Sequence, residues 1–315
     1  MPGLPASGIC SGTSLDVAVA RSVGVQLQSW RAGLRVRFPL PPTVVVSSSG
    51  HALVTARSGH DEPPPSGVAR WTMAAYQRFA AFYDVVMDDP GPRAARVNAS
   101  IDRYRPGAAS LLELGCGTGS ILARLDTGAR LTGLDRSPEM LAKAAAKVPG
   151  AQLVEGDMSS FDLGRRFDVI VCVFDSVNHL LDVGSWVSLF ACVHAHLAEG
   201  GLFVLDVNTV SELHRLGDDP PWVYDFDGGT AIIDVTFALD PGGLGVTDWD
   251  IRIFERVTDT RFELHHEQIG ELALPLERVR GLLVGLFELL EEVDEDGLPA
   301  TDTSIKAYYA LRRND

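Results

Sequence analysis

Residues 111–120 read Leu-Leu-Glu-Leu-Gly-Cys-Gly-Thr-Gly-Ser, an apolar run that passes directly into three alternate glycines. Ser110-Leu111-Leu112-Glu113-Leu114 has the length and apolar density of a buried strand. Gly115, Gly117 and Gly119 allow a sharp turn and a close backbone approach to a ligand. The helix that follows offers its positive N-terminus to that ligand. A strand ending in such a turn belongs to a parallel sheet, where ligands lie beyond the carboxyl ends of the strands.

The surrounding chain alternates as that sheet requires. Apolar runs at 130–134, 152–155, 168–174 and 202–207 read as strands. Helical patterns lie between or beside them: one at 93–103, one near 120–125, and one opened by Ser137 as N-cap with Pro138 at its first position. Another carries Trp186, Leu189, Phe190, Val193 and Leu197 and is stopped by Gly200-Gly201. Upstream, Trp71, Ala75, Phe79, Phe82 and Val86 recur at helical spacing. Repeated units with apolar strands predict an α/β, doubly wound, mostly parallel sheet covered by helices on both faces.

Between residues 222 and 274 the period changes to two. Val235 and Phe237, then Trp249, Ile251 and Ile253, then Phe262 and Leu264 alternate with polar residues, and Asp240-Pro241-Gly242-Gly243 supplies a turn. This is an antiparallel β-meander inserted into the α/β body. A helix at 276–285, a strand near 287–291 and a last strand at 306–311 close the domain. The predicted domain is therefore 71–315, with 222–274 as its insertion and lid.

Residues 1–70 are different material. They hold 6 Arg against 3 acidic residues, net +3, while the remainder holds 21 basic and 39 acidic residues, net −18. They also hold 8 of the 18 prolines and lack an apolar period. The stretch reads as a disordered N-terminal extension; a transit peptide or a start codon set too far upstream has the same composition. The net charge of −15 disfavours a nucleic-acid partner. No 18-residue apolar stretch or charged-then-apolar leader is present, so the expectation is a cytoplasmic protein with no membrane partner. Cys10, Cys116, Cys172 and Cys192 form no CxxC pair, and no cluster has metal-ligand spacing.

The glycine spacing narrows the ligand. The turn lacks the Lys-Ser/Thr ending of a phosphate loop, and G-x-G-x-G is not the dinucleotide pattern G-x-G-x-x-G. Glu113, beside the turn, would repel a pyrophosphate and favour a cation. Asp135 and Asp157 end the next two strands. One carboxylate there can accept two ribose hydroxyls and the other an exocyclic adenine amine, with Met140 or Met158 packing on the ring.

With these residues the chain resembles the class I S-adenosylmethionine-dependent methyltransferases. The resemblance rests on Glu113-Leu-Gly-Cys-Gly-Thr-Gly119, on Leu134-Asp135-Arg136-Ser137-Pro138-Glu139-Met140-Leu141 and on Glu155-Gly156-Asp157-Met158, over roughly residues 76–312. It implies a seven-stranded Rossmann-like sheet with an antiparallel last strand, and S-adenosyl-L-methionine as cofactor. It also implies that Gly115, Gly117 and Gly119 contact the methionine portion, that Asp135 meets the ribose and that Asp157 with Met158 meets the adenine; Arg136 and Met140 are further expected cofactor contacts. Tyr83 matches an aromatic that closes over the methionine end in small-molecule members, and Phe174 is expected beside it.

The strand at 168–174 exits into Phe174-Asp175-Ser176-Val177-Asn178-His179-Leu180. That is not the [D/N/S]-P-P-[Y/F/W] motif of enzymes acting on DNA or protein amides. It resembles the F-D-S-x-N-x-L stretch of bacterial small-molecule methyltransferases, with sugar-amine N-methyltransferases as more distant relatives, so a small-molecule acceptor methylated on nitrogen or oxygen is implied. Asp175 would hold an ammonium or take a proton, His179 would act as base for a hydroxyl, and His266 would contribute from the meander. His194 and His196 read as structural, and the transfer is expected to need no metal. An inactive cofactor-binding protein is the main alternative. A nicotinamide-dependent oxidoreductase is disfavoured by the glycine spacing and by the lack of a Tyr-x-x-x-Lys pair.

Overall fold

The computed structural model describes residues 79–87 and 89–315 and, ahead of them, four short strands. These are β1 (Leu27–Trp30), β2 (Gly33–Val36), β3 (Thr43–Val46) and β4 (Ala52–Thr55), paired as two antiparallel hairpins. The rest of the stretch expected to be disordered lies outside the described residues, as do Trp71 and Ala75. The chain divides into two compact units, one of residues 71–219, 235–249 and 267–315 and one of 1–70, 220–234 and 250–266.

The first unit is built on a seven-stranded sheet. Its strands are β5 (Ser110–Leu114), β6 (Arg130–Asp135), β7 (Gln152–Glu155), β8 (Phe167–Cys172), β9 (Leu197–Asn208), β14 (Phe287–Val293) and β15 (Lys306–Arg313), in the order β14-β15-β9-β8-β5-β6-β7. The β7-β6-β5-β8-β9 ladders are parallel, and β15 runs antiparallel to both its neighbours. The strand order reverses between β5 and β8, and that switch point opens the crevice in which such sheets take ligands. This is the class I methyltransferase architecture expected from the sequence.

Helices cover the sheet because their apolar faces match it. Helix α2 (Gly91–Tyr104) buries Ala94, Val97 and Ile101, and α4 (Val183–His196) buries Trp186, Leu189, Phe190 and Val193 completely. Full burial of each such α4 side chain contributes about 1.5–3 kcal/mol. Helix α3 (Pro138–Lys147) starts where predicted, with the Ser137 Oγ accepting from Met140 N at 3.2 Å. His194 and His196 are structural: His194 Nε2 meets the Asn314 carbonyl at 3.2 Å and His196 Nε2 accepts from Leu163 N at 3.1 Å. Helices α5 (Val210–Asp218) and α6 (Leu276–Leu283) complete the layer.

The meander forms a four-stranded antiparallel sheet of β10 (Trp222–Phe226), β11 (Gly229–Leu239), β12 (Gly245–Thr258) and β13 (Arg261–Ala273). Every second residue from Gly229 to Val235 is buried, which is the alternation read from the sequence. Two elements differ from expectation: the helix expected near 120–125 is a single 3-10 turn at Leu122–Arg124, and the segment before Val86 is broken. In place of a continuous helix reaching Val86, the described part is a single turn at Phe79–Ala81 followed by the short α1 (Tyr83–Val86). Asp84 of this segment is held by Thr118 and Ser120 of the glycine loop and by Lys147 of α3.

Candidate active site

Beyond β5 the backbone takes positive φ at Gly115 (65°), Gly117 (52°) and Gly119 (75°). At Gly115 the requirement is double, since an added Cβ would stand 2.7 Å from Ser176 Oγ on the loop after β8. The turn is fastened to the next strand. Asp135 Oδ2 accepts from Gly117 N at 2.8 Å and its Oδ1 accepts from Ser137 N at 2.9 Å. One carboxylate thus ties the glycine loop to the start of α3, and burial raises its pKa against the pull of those two amides.

The loop opens on a cleft of about 420 Å³ lined by Tyr83, Glu113, Gly115, Gly117, Phe174 and Ser176, among others. Glu113 is 2% exposed, and its Oε2 is buried without a hydrogen-bond partner. Burial raises its pKa well above the ordinary value, although the Leu122 amide donates to it. A buried carboxylate oxygen with no donor, on the wall of a cleft, is suited to a cationic ligand.

A strap crosses one side of this cleft. Lys147 Nζ, at the end of α3, lies 2.9 Å from both oxygens of Asp84, 2.9 Å from Thr118 Oγ1 and 2.7 Å from Ser120 Oγ. Thr118 Oγ1 also donates to Asp84 Oδ1 at 2.6 Å, and Lys143 Nζ donates to the Ala81 carbonyl at 3.3 Å. Asp84 sits beside Tyr83, so this cluster fixes the tyrosine at the cleft. Burial, then the Asp175 carboxylate, raise the Tyr83 pKa, keeping the phenol protonated.

The facing loop belongs to β8. Phe174 and Asp175 both adopt φ 64°, a left-handed conformation that non-glycine residues rarely take. Asp206 holds them there: its Oδ2 accepts from Phe174 N at 3.1 Å and its Oδ1 from Asp175 N at 3.0 Å. Arg93 stacks over the Phe174 ring at 4.1 Å. Further along, Asn178 Nδ2 donates to the Leu272 carbonyl at 2.9 Å, while its Oδ1 accepts from Asn208 N at 3.0 Å. His179 Nδ1 lies 3.1 Å from the Gly270 carbonyl and must donate to it, which leaves Nε2 as the basic nitrogen of the neutral ring. Burial lowers the His179 pKa, so the ring is neutral at pH 7.

Asp175 already holds an ammonium of the chain itself through its Oδ1. Lys306 Nζ, from the start of β15, donates to Asp175 Oδ1 and to Asn208 Oδ1. Burial opposes ionisation of Asp175, but the Lys306 and Arg93 charges outweigh it and hold its pKa below the ordinary value. Asn208 Nδ2 in turn donates to Glu271 Oε2 at 3.0 Å, and burial with the Asp175 charge pushes Glu271 up to about 8. Asp206, Asn208, Glu271 and Lys306 were not foreseen. Two signals pointed to them: a charged residue inside the apolar run Phe203-Val-Leu-Asp206, and one of only three lysines in a chain with 27 basic residues.

The predicted residues do not all converge. Tyr83, Glu113, Gly115, Gly117 and Phe174 line the cleft. Gly119 instead packs on α3, where a Cβ would lie 3.1 Å from Ala144 Cβ. Met140 is buried on the inner face of α3 and Met158 packs on the core. Arg136 and Asp157 are exposed, the latter accepting from Ser159 N at 2.8 Å. His266 belongs to the other unit, where its Nε2 meets Asp250 Oδ2 at 2.9 Å. Among the described residues no group of three or more His, Cys, Asp or Glu is placed to hold a metal ion, and no helix is long and apolar enough to cross a membrane.

Residues 111–201 match the family model described as a methyltransferase domain. A Bacillus subtilis protein named as a methyltransferase, YqeM, is 30% identical over 241 residues, covering 74% of this chain and 92% of that one. The chain belongs to the S-adenosylmethionine-dependent methyltransferases. Another relative of this methyltransferase is the dTDP-3-amino-3,6-dideoxy-alpha-D-glucopyranose N,N-dimethyltransferase of Streptomyces fradiae, 38% identical over 132 residues. That match spans 40% of this chain and about half, 52%, of the other. Among solved structures, an amino pentose methyltransferase from Micromonospora echinaspora with S-adenosylmethionine bound superposes with a TM-score of 0.58. It is 25% identical, covering 76% of this chain and 98% of its own. The cleft fits the family's cofactor on its own terms, since the orphaned Glu113 oxygen answers a cation and the open space at Gly117 leaves room for it.

Proposed function

We propose that this methyltransferase moves the methyl group of S-adenosylmethionine to nitrogen or oxygen of a small-molecule acceptor, and that the acceptor is an amine. The observation that carries the first part is the unpartnered Oε2 of Glu113 in the glycine-loop cleft, matched to a sulfonium or ammonium. Within this reading Glu113, Gly115 and Gly117 hold the methionine end, and Asp135 meets the ribose with its remaining lone pairs. Arg136, Asp157, Met140 and Met158 take the ribose and adenine side, Tyr83 and Phe174 form the wall, and Gly119 serves by packing.

The cofactor supplies an electrophilic methyl carbon on a positively charged sulfur. The chain aligns the acceptor with that carbon, a contribution of about 7–11 kcal/mol in well-oriented systems. With the cofactor bound, the acceptor nitrogen's lone pair would take the methyl carbon as the carbon–sulfur bond electrons return to sulfur, and the methylated nitrogen would then shed a proton. Neutral His179, with Nε2 as its basic atom, is suited to take that proton. His266, in the other unit and paired with Asp250, has no step here. An amine is favoured over oxygen by the amino-sugar chemistry named for the Streptomyces fradiae relative and by the acidic body, which suits a cation. The proposal includes residues 71–315 as the reacting domain, 222–274 as its insertion and a cytoplasmic setting.

Methyl-labelled S-adenosylmethionine should be offered with a nucleotide-linked amino sugar, its hydroxyl counterpart and a tricarboxylate. Label on the amine is expected. Label only on oxygen overturns the amine assignment, and thermal stabilisation by S-adenosylhomocysteine without any product from these or from a metabolite extract would leave a cofactor-binding protein.

A further inference from the structure

Behind the loop after β8 lies a charge cluster that touches neither the glycine loop nor the strand-end acids. Asp206 is 0% exposed and Lys306 7% exposed, yet both are ionisable. Asp206 spends its two oxygens on the amides of Phe174 and Asp175, and Lys306 bonds the Asp175 carboxylate and the Asn208 amide oxygen. Two carboxylates therefore face one ammonium across two left-handed residues, one of which, Phe174, lines the cleft.

We propose that Lys306 and Asp206 are positioning residues of methyl transfer: together they hold Phe174 and Asp175 in the left-handed conformation that shapes the acceptor side of the cleft. Asp206 supplies the two acceptors that this conformation needs. Lys306 balances the charge, since without it two buried carboxylates would stand together. A compact ammonium suits one carboxylate plus one amide oxygen better than the planar fork of arginine, the cation this chain uses nearly everywhere else. Other groups facing Lys306 are Arg93, which repels it and attracts both aspartates, Tyr308, and Glu271 behind Asn208.

The kinetic arm of the test rests on the proposed methyl transfer; the structural arm does not. In the full chain, peptide-level hydrogen exchange over residues 172–180 should be compared for the wild type, Lys306→Met, Asp206→Asn and the double variant. Exchange at the loop should rise at least tenfold in each single variant, with α4 and β5 unchanged, and stay raised in the double variant, which still lacks the second acceptor. Affinity for S-adenosylhomocysteine should stay within about fivefold, while kcat on the labelled acceptor drops 10- to 100-fold. The Lys306→Met deficit should shrink as pH falls from 8 to 6, because a proton replaces the lost charge. Unchanged loop exchange in Asp206→Asn overturns the proposal even if Lys306→Met does not fold. A wild type that labels no acceptor defeats the transfer reading, and the exchange result still decides the clamp.

Discussion

The glycine loop and the loop after β8 both place residues at positive φ on one cleft, but they reach that geometry by opposite routes. Gly115, Gly117 and Gly119 take φ of 52–75° with no side chain to oppose it, whereas Phe174 and Asp175 take 64° as full-sized residues. The second loop therefore stores strain on the order of 1–3 kcal/mol per residue, which tertiary contacts must offset. Those contacts come from Asp206, Asn208, Gly270, Leu272 and Lys306. The difference suggests a division of labour, in which the locally encoded loop binds the cofactor and the tertiary-encoded loop sets the transfer geometry. A break in that division should be visible in separate binding and turnover measurements.

The largest expected effect falls on the second loop alone. His179→Gln removes the basic Nε2 and should lower turnover by about 10²–10⁴-fold, the usual scale for a general base. Affinity for S-adenosylhomocysteine should hardly change. In the wild type, burial keeps His179 below its ordinary pKa of 6.5. The decline in turnover on acidification should therefore be centred below 6.5, and a decline centred above 6.5 would assign the base elsewhere.

Gly115→Ala should be the next largest, and it strikes both loops. The new Cβ would meet Ser176 Oγ at 2.7 Å and Ser176 Cβ at 2.9 Å, at a φ of 65° that alanine rarely adopts. Strain of about 1–3 kcal/mol plus overpacking of about 1–3 kcal/mol should weaken cofactor binding and turnover together. An effect on binding with normal turnover at saturating cofactor would show that the loops are independent.

The same contrast explains how much could be read in advance. The strand and helix series, the parallel sheet and the meander follow from apolar period and the Ser137-Pro138 helix start, which are local signals; Gly200-Gly201, read as a helix stop, instead lie inside β9, since the helix ends at His196. Glu113, the glycines and Asp135 lie within 23 residues of one another, so their joint role is a matter of spacing. Asp175 and Lys306 are 131 positions apart, and Asn178 and Leu272 are 94 apart. The pairing of β15 with β9 brings Lys306 to this loop, and the end of β13 brings Leu272. Hence the ammonium that the chain itself supplies to Asp175 could not be read from spacing. The hold on Asp84 in the segment before Val86 is hidden for the same reason, because Lys147 reaches it from 63 positions away.

Glu113→Gln tests the cofactor side by itself, with opposite effects on binding and stability. Removing the charge should weaken S-adenosylmethionine binding by about 1.5–3 kcal/mol, the scale of a charge-assisted hydrogen bond. Stability should move the other way. The folded-state pKa of Glu113 is raised by burial, so the folded form favours the proton, and stability is lost as pH climbs from the ordinary value of 4.5 through the raised one. The variant escapes that loss, so the ligand-free protein should melt higher than the wild type at pH 8 and equally at pH 4. Equal melting at both values would mean that the carboxylate has found a partner.

The smallest effect belongs to the strap. The Lys147–Asp84 pair is 28% and 40% exposed at its side chains, so solvent screens it and its worth is at most about 0.5–1 kcal/mol. Lys147→Met should weaken cofactor binding only about two- to fivefold, by loosening Tyr83 at the cleft. Salt offers the sharper test, because the Debye length falls from about 10 Å at 0.1 M to about 3 Å at 1 M. Wild-type affinity should drift toward that of the variant as salt rises, while the variant stays level. Parallel salt curves would show that Lys147 acts through its hydroxyl contacts with Thr118 and Ser120, and the strap would then belong with the glycine loop as a locally fastened element.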